Sequence, residues 1–252
     1  MEKAWIVHEK TTGGQLALKW VFENGLKLYT KAFLRRNRLL IQGSSKRDSN
    51  QGDQNVLDFE FNFDPMKDRY TICPAGLGGY AIKAVSVTAV HWTDVSGRGT
   101  NEDQGTFKKM AGIELEGASV MVSTQFTGCS FCIKDVGRVF TSHIAPSAPS
   151  KPHPFSSGTK LAKQLAGLEE PKVGAGDFAN GLPGTGKLWV FGRGYSNITG
   201  LVEGYDPRIQ GGGTTGMYLI GFKRPTGQWK VFSQEIIDDR VHRAHRIFPT
   251  KG

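Results

Sequence analysis

The stretch "NVLDFEFNF", residues 55–63, constrains the fold most, because large apolar and polar side chains alternate along it. An alternation with a period of two residues is typical of a β-strand that has one buried face. The chain also contains 33 glycines scattered among short apolar runs, a pattern typical of many strands joined by tight turns. The sequence therefore predicts a β-rich core.

Further apolar runs predict the other strands of this core. The last two in the chain are separated by "RPTG", in which Pro225 and Gly227 favour a turn. The candidate strands are "YAIKAVSVTAVHW", "ASVMVST", "SFCIKD", "GRVFTSH", "KLWVFGR", "GMYLIGFK" and "QWKVFSQEI".

Helical patterns are weaker than strand patterns. In "SSGTKLAKQLAGLEE", residues 156–170, a Ser or Thr cap precedes leucines spaced four and three apart, as on one face of a helix. The segments "KAFLRRNRLL", residues 31–40, and "SQEIIDDRVHRAHRIF", residues 233–248, are two more helix candidates. We therefore expect an α+β fold: a mixed β-sandwich core flanked by a few helices, forming a single domain over residues 1–252.

Composition restricts the partners and the environment. The net charge of +9 favours acidic partners, namely nucleic acid, an anionic membrane surface or a negatively charged protein. Three cysteines cannot all pair with one another, so we expect reduced thiols. The sequence shows neither a conventional signal peptide nor the ~18 consecutive apolar residues of a membrane span, so we expect a soluble protein made without a classical export signal and with no membrane span.

The stretch "SVMVSTQFTGCSFCIKDVGRVFTSHIAP", residues 119–146, contains two cysteines and a histidine that fit one β-hairpin. A three-residue loop "DVG", with Gly137 in the left-handed conformation, would pair Lys134 with Arg138. Continued along the strands, this register places Cys129 directly opposite His143, with their Cβ atoms about 5 Å apart. A two-residue loop would instead turn His143 to the other face of the hairpin.

The same hairpin geometry argues against a metal or dithiol site. Three residues along a strand, Cys132 points away from Cys129, and no second Cys-x-x-Cys follows. The stretch "GLPGTGKL", residues 181–188, has Leu188 where a nucleotide-binding loop needs Ser or Thr. We therefore expect no metal and no cofactor. A purely structural role for Cys129, as a small buried apolar side chain, stays open at this point.

The runs "STQFTGC" and "VFTSH" resemble the signature of the cytotoxic necrotizing factor type of glutamine deamidase toxins. The usual run in that family is Leu-Ser-Gly-Cys, with the histidine on the next strand, where His143 lies here. Ser123 stands where some members have a threonine that helps to orient the pair. The fold is shared more distantly with chemoreceptor glutamine deamidases, and the first hundred residues stay unassigned. The four motif positions are Phe126, Thr127, Gly128 and Cys129.

This resemblance implies a toxin or effector enzyme that converts a glutamine of a target protein to glutamate. Cys129 would attack the carboxamide, and His143 would act as general acid and then general base. Ser123, or a backbone carbonyl, would orient the imidazole, while the backbone at Gly128 and Thr127 would bind substrate and oxyanion. The target would be a protein in the cytoplasm of a host cell, such as a small GTPase or a translation factor.

Other functions remain to be weighed against deamidation. A papain-like protease is less expected, because its histidine follows the cysteine by more than about a hundred residues. Transglutamination, in which an amine replaces water, shares the same thioester and stays open. The alternative from another class is a basic, non-enzymatic binding module for an acidic protein or nucleic acid, although nucleic acid is unexpected because no RNA- or DNA-binding motif is present.

Overall fold

The computed structural model describes residues 12–43, 55–91, 112–145, 159, 162–163, 188–194, 204–209 and 215–249. These residues form helices near the N-terminus and two β-sheets. The predicted β-rich α+β class is therefore confirmed. No helix within the described ranges is long and apolar enough to cross a membrane.

The helical part runs continuously from α1 (Thr12–Trp20) through a π-helical segment (Val21–Lys27), and α2 (Thr30–Arg36) follows. Helix α2 ends where Asn37 takes an extended conformation, with its side-chain amide donating to the Phe33 carbonyl at 3.0 Å. Two arginines in its last turn are favourably placed at the negative end of the helix dipole.

Thirteen strands are formed by the described residues. They are β1 (Arg38–Ile41), β2 (Val56–Asp64), β3 (Arg69–Pro74), β4 (Tyr80–Val87), β5 (Ala89–His91), β6 (Ile113–Glu114), β7 (Val120–Phe126), β8 (Ser130–Asp135), β9 (Val139–Ala145), β10 (Leu188–Phe191), β11 (Gly216–Lys223), β12 (Trp229–Ile237) and β13 (Arg240–Phe248). Every strand predicted from the sequence is present, and the single run proposed over residues 80–92 is divided at Thr88 into β4 and β5.

The described chain divides into two compact units. The first unit draws on residues 1–86, 116–125 and 213–249, and the second on residues 87–115, 126–212 and 250–252. Each unit is thus assembled from segments that are distant in sequence. The prediction of a single domain stays a prediction.

The first unit is built on an eight-stranded mixed sheet with the strand order β1-β3-β2-β4-β7-β11-β12-β13. Its core combines alternate residues of the sheet with the helices, and Phe22 contacts Phe61 and Phe222 with ring centroids 5.3 and 6.0 Å apart. Phe59 and Phe61 of β2 are almost fully buried as the alternation predicts, whereas Glu60 between them is buried as well.

The second unit is built on a smaller sheet with the order β10-β8-β9-β5, and β6 also pairs with β9. Strands β8 and β9 are antiparallel and β5 runs parallel to β9. Strand β8 is almost completely buried, so the hairpin that contains the signature forms the centre of this unit.

The helix predicted over residues 233–248 is wrong, because this segment forms β12 and β13. The strands are joined by a two-residue turn in which Asp238 and Asp239 have φ of 49° and 60°. Positive φ at both central residues is the turn geometry that matches the twist of a hairpin. Aspartate tolerates this conformation better than most residues, so the acidic pair marks a turn rather than a helix.

Two other helix predictions have mixed outcomes. The segment 31–40 is helical only as far as Arg36, and β1 begins at Arg38. Of residues 156–170, Thr159, Ala162 and Lys163 are helical, and the three leucines that suggested this helix lie outside the described residues.

Candidate active site

The β8–β9 hairpin has the three-residue loop expected from the sequence, but the loop lies one position later. Asp135 pairs with Val139, and the loop consists of residues 136–138. Gly137 has φ of 86°, and its backbone N–H donates to the Asp135 carboxylate at 3.0 Å. The left-handed role predicted for Gly137 is confirmed.

This shift moves every cross-strand partner by two residues. Phe131 lies opposite His143, so the expectation that Cys129 is directly opposite His143 is wrong. Because the shift is even, it does not exchange the two faces of the strands. Cys129 precedes β8 and is two residues from Phe131, a spacing that corresponds to a diagonal position about 7–8 Å from a cross-strand neighbour in a regular sheet.

Cys129 lies in the segment that turns from β7 into β8. The preceding residue, Gly128, has φ of 153°, a conformation that residues with a side chain rarely adopt. The Cys129 side chain is 8% exposed, and its backbone carbonyl accepts a hydrogen bond from the Tyr205 hydroxyl at 2.8 Å. The nucleophile candidate is therefore buried, and it is held by a strand end and a buried tyrosine.

The thiol of Cys129 is protonated at neutral pH in this environment. Burial raises its pKa to about 11, while backbone hydrogen bonds from Thr127 and from Cys129 itself act in the opposite direction. Bonds that lower the pKa of a thiol stabilise the thiolate, so they come from N–H donors. The backbone at Thr127, expected to bind negative charge, thus contacts the sulfur.

His143 is fixed on β9 by contacts on several sides. Its ring is 1% exposed and stacks on Phe126, with the centroids 3.7 Å apart and the planes within 7°. Burial lowers the pKa of the imidazole to about 3, although a hydrogen bond with the Val87 backbone acts in the opposite direction and raises this pKa. A bond that raises the pKa of an imidazole has the ring N–H as donor, so its acceptor is the Val87 carbonyl.

Val87 is a backbone group that contacts the His143 ring. The sequence left Ser123 or a backbone carbonyl as the orienting group, and the Val87 carbonyl accepts a hydrogen bond from the ring. Val87 ends β4, and Ala89 of β5 pairs with His143. Because the predicted long strand is divided at Thr88, His143 contacts both Val87 at the end of β4 and Ala89 at the start of β5.

The remaining predicted residues lie as follows. Ser123 is buried on β7 in the first unit, whereas Cys129 and His143 belong to the second. Cys132 lies opposite Ser142 and is fully buried, which raises the pKa of its thiol to about 12. Cys73, Cys129 and Cys132 are all free thiols. The described residues contain no group of three or more His, Cys, Asp or Glu side chains placed to hold a metal ion.

Two contacts of this site could not be read from the motif. The Val87 carbonyl is a main-chain group, so its side chain carries no signal. Tyr205 follows Cys129 by 76 positions and reaches it through the fold. The sequence signal that accompanies Tyr205 is its glycine-rich surroundings, which are typical of a close approach between two segments.

Comparison with known proteins adds a likeness at the level of the fold. No family model matches the chain, and no curated protein matches its sequence. Among solved structures, the crystal structure of the C-terminal domain of CNFy from Yersinia pseudotuberculosis is weakly similar, with a TM-score of 0.34 and 10% identity. The match covers 76% of this chain and 72% of that chain. A likeness this weak identifies no activity.

Proposed function

We propose that this chain is a thiol hydrolase that deamidates a glutamine side chain of a target protein, with Cys129 as nucleophile and His143 as proton carrier. The observation that carries the proposal is the arrangement within the second unit. A Gly-Cys pair enters β8 with backbone N–H groups on the sulfur, and β9 holds an imidazole oriented by the Val87 carbonyl. These are the parts that a cysteine amidohydrolase needs.

The reaction would proceed through a thioester. The Cys129 proton passes to His143 as the sulfur bonds to the carboxamide carbon. The imidazolium then protonates the departing nitrogen, the C–N bond breaks and ammonia leaves. Water, deprotonated by His143, attacks the thioester, and the C–S bond breaks to give glutamate and the free thiol. N–H groups at Thr127 and Cys129 are close enough to the sulfur to stabilise the oxyanion.

In the resting protein the Cys129 thiol and the His143 imidazole are both neutral. Burial is the largest cause of both pKa shifts, to about 11 for Cys129 and about 3 for His143. A carboxamide that enters the site brings its own dipole and relieves part of this desolvation. Proton transfer is therefore coupled to substrate binding, and the free protein protects its thiol from oxidation.

The test compares Cys129→Ala, His143→Ala and Cys132→Ala with the parent chain. The purified proteins are incubated with methylated casein, and ammonia release is followed together with a mass gain of about one dalton per glutamine converted. We expect both site variants to lose at least about 10³-fold in rate and Cys132→Ala to retain activity. Full activity of Cys129→Ala would exclude the proposed mechanism.

The partner and the place of action follow from this proposal. The target would be a host-cell protein, with small GTPases and translation factors as the first candidates, reached in the host cytoplasm after secretion. Peptide mass spectrometry of a treated cell lysate would identify the converted glutamine. Addition of a fluorescent primary amine would measure transglutamination through the same thioester.

A second candidate function, a basic binding module, is favoured by a cationic cluster in the first unit. Desolvation and the charges of Arg224 and Arg246 lower the pKa of Lys230. Within the described ranges, no carboxylate forms an ion pair with any of these three residues. Such a cluster attracts anionic partners in a manner that salt screens. Retention on a heparin column that falls in Lys230→Ala, but not in Cys129→Ala, would support this function.

A further inference from the structure

A short segment of the second unit, Gly204–Ile209, is attached to the end of β10 by backbone hydrogen bonds. The Tyr205 N–H donates to the Gly192 carbonyl at 2.9 Å, and the Gly194 N–H donates to the Tyr205 carbonyl at 2.8 Å. Tyr205 also forms a parallel bridge with Arg193. We call this segment the tyrosine strap.

Side chains are excluded at Gly204 of the strap and at Gly192, whose carbonyl accepts the hydrogen bond from Tyr205. A Cβ atom at Gly204 would overlap the carbonyl oxygen of Gly194. A Cβ atom at Gly192 would overlap the side chain of Ala162 and lie 2.9 Å from the Ser130 hydroxyl. Glycine is therefore required at both positions, and the close approach of Gly204 to Gly194 leaves the strap little freedom to move there.

Polar contacts anchor the other end of the strap. The Arg193 guanidinium donates to the Pro207 carbonyl at 2.6 and 3.1 Å. The carboxylate of Asp206 is 1% exposed and accepts from the Arg208 backbone at 2.8 Å and from the Arg208 guanidinium at 2.6 Å. Tyr205 thus lies between the close approach at Gly204 and the hydrogen bonds at Pro207.

The side chain of Tyr205 connects the strap to the candidate nucleophile, Cys129. Its ring is fully buried and contacts Phe191 with centroids 5.9 Å apart. Its hydroxyl donates to the carbonyl of Cys129 at 2.8 Å. The bond holds the main chain at the one residue between the unusual conformation of Gly128 and the first residue of β8.

We propose that Tyr205 is a positioning residue that fixes the Cys129 backbone, and with it the direction of the thiol, for attack. This inference rests on the proposed function of Cys129. A misplacement of the reacting atom by about 1 Å can reduce turnover by about 10²-fold. Tyr205 does not touch the reacting atoms and acts through the main chain of Cys129.

The experiment uses Tyr205→Phe, which removes only the hydroxyl, in the full chain. We expect kcat for ammonia release from methylated casein to fall by about tenfold with little change in KM. The matched control is Tyr218→Phe, a buried tyrosine of the first unit, which we expect to retain the parent kcat. Equal kcat for Tyr205→Phe and the parent would overturn the inference.

A second measurement does not depend on turnover. Iodoacetamide labelling of Cys129 at pH 9 should become at least about threefold faster in Tyr205→Phe, because the loosened main chain exposes the thiol. Cys132, which is fully buried, should stay unlabelled. Equal labelling of Cys129 in the two proteins, or joint labelling of both cysteines, would assign Tyr205 a general structural role and overturn the inference.

The two hypotheses fail in different ways. If Cys129→Ala retains ammonia release, the proposed function is wrong, whatever the behaviour of Tyr205→Phe. If Cys129→Ala is inactive and Tyr205→Phe turns over like the parent, only the positioning role is wrong.

Discussion

The rings of Phe126 and His143 are stacked in parallel, with centroids 3.7 Å apart and planes within 7°. Phe126 ends β7 and is fully buried. The stack covers one face of the imidazole while the Val87 carbonyl fixes its N–H direction. The phenylalanine at this motif position, where the deamidase toxin signature usually has leucine, therefore has a physical role in holding the histidine.

Replacement of Phe126 by leucine tests this role. We expect a loss of about 1–2 kcal/mol in the free energy of unfolding, from the lost stack and the smaller side chain. The pKa of His143, measured by NMR, should move up towards its ordinary value because water gains access to the ring. The control is Phe222→Leu in the first unit, which should cost similar stability and leave the His143 titration unchanged. An unaltered His143 titration in Phe126→Leu would contradict the role.

Burial of His143 makes stability depend on pH in the acid range. Its pKa is 6.5 in the unfolded chain and about 3 in the folded one, so the unfolded chain binds more protons between these values. The stabilisation from His143 is complete above pH 6.5 and is lost as the pH falls to about 3. At about 1.4 kcal/mol per pH unit, the loss is a few kcal/mol.

Urea unfolding at a series of pH values measures this loss, with His143→Gln as the comparison. The variant should be less stable at pH 7 and should show a flatter acid dependence. Burial also lowers the pKa of His245 to about 4, so His245 contributes part of the acid dependence of stability in both the parent and His143→Gln. The variant His245→Gln is therefore the matched control. Parallel profiles for the parent and His143→Gln would show that His143 is not buried as a neutral ring.

The reactivity of Cys129 should follow its raised pKa. With a pKa of about 11, about one thiol in 10⁴ is ionised at pH 7, and the iodoacetamide labelling rate should rise about tenfold per pH unit towards pH 10. His143→Ala should change the rate in the free protein by less than about threefold, because a neutral imidazole does not stabilise the thiolate. Fast labelling at neutral pH that disappears in His143→Ala would instead indicate a charged resting pair.

The strands were predictable because their signal is local. Alternation in β2 and turn residues such as Gly227 act within a few positions, and they gave the right elements. The same local rules failed at Asp238 and Asp239, because a left-handed turn made of two aspartates separates two strands whose combined pattern imitates a helix.

The site was predictable as far as neighbouring strands determine it. The hairpin placed Cys129 and His143 within one unit, but Gly137 is the second residue of the observed loop and not the third as predicted, so the exact partner was two residues off. The contacts of Val87 and Tyr205 arise from main-chain groups and from segments distant in sequence. Such contacts have no short-range pattern to read.

Glu60 provides a stability test in the first unit. Burial alone would raise the pKa of this carboxyl, but hydrogen bonds from the backbone N–H groups of Gly76, Gly79 and Leu77 hold it below 4.5. Glu60→Gln should cost about 1–3 kcal/mol at pH 7, because the amide leaves part of these donors unpaired. Since the folded pKa is depressed, this stabilisation is present above pH 4.5 and disappears as the pH falls below it.

The matched control for Glu60 lies on the same strand. Asp58 pairs with Lys83 at 2.9 Å, but both side chains are more than half exposed. Exposed pairs contribute little, so Asp58→Asn should change stability by less than about 0.5 kcal/mol. Urea midpoints at pH 7 and pH 3 compare the variants, and an equal effect of the two substitutions would show that the buried carboxylate does not fix the loop.

Substitutions at Asp238 test the finding that residues 233–248 form two strands joined by a turn. Because φ at Asp238 is 49°, a β-branched residue is strained there, and Asp238→Val should cost about 1–2 kcal/mol. Asp238→Gly should be neutral or stabilise by up to about 1 kcal/mol, since glycine adopts positive φ without strain. Asp239 is left unchanged in these variants because its carboxylate pairs with Arg38 at 2.8 Å. Urea unfolding gives the order Gly, Asp, Val from most to least stable. If Asp238→Val were as stable as the parent, residues 233–248 would not form the two-residue hairpin, and the helix read from the sequence would have to be reconsidered.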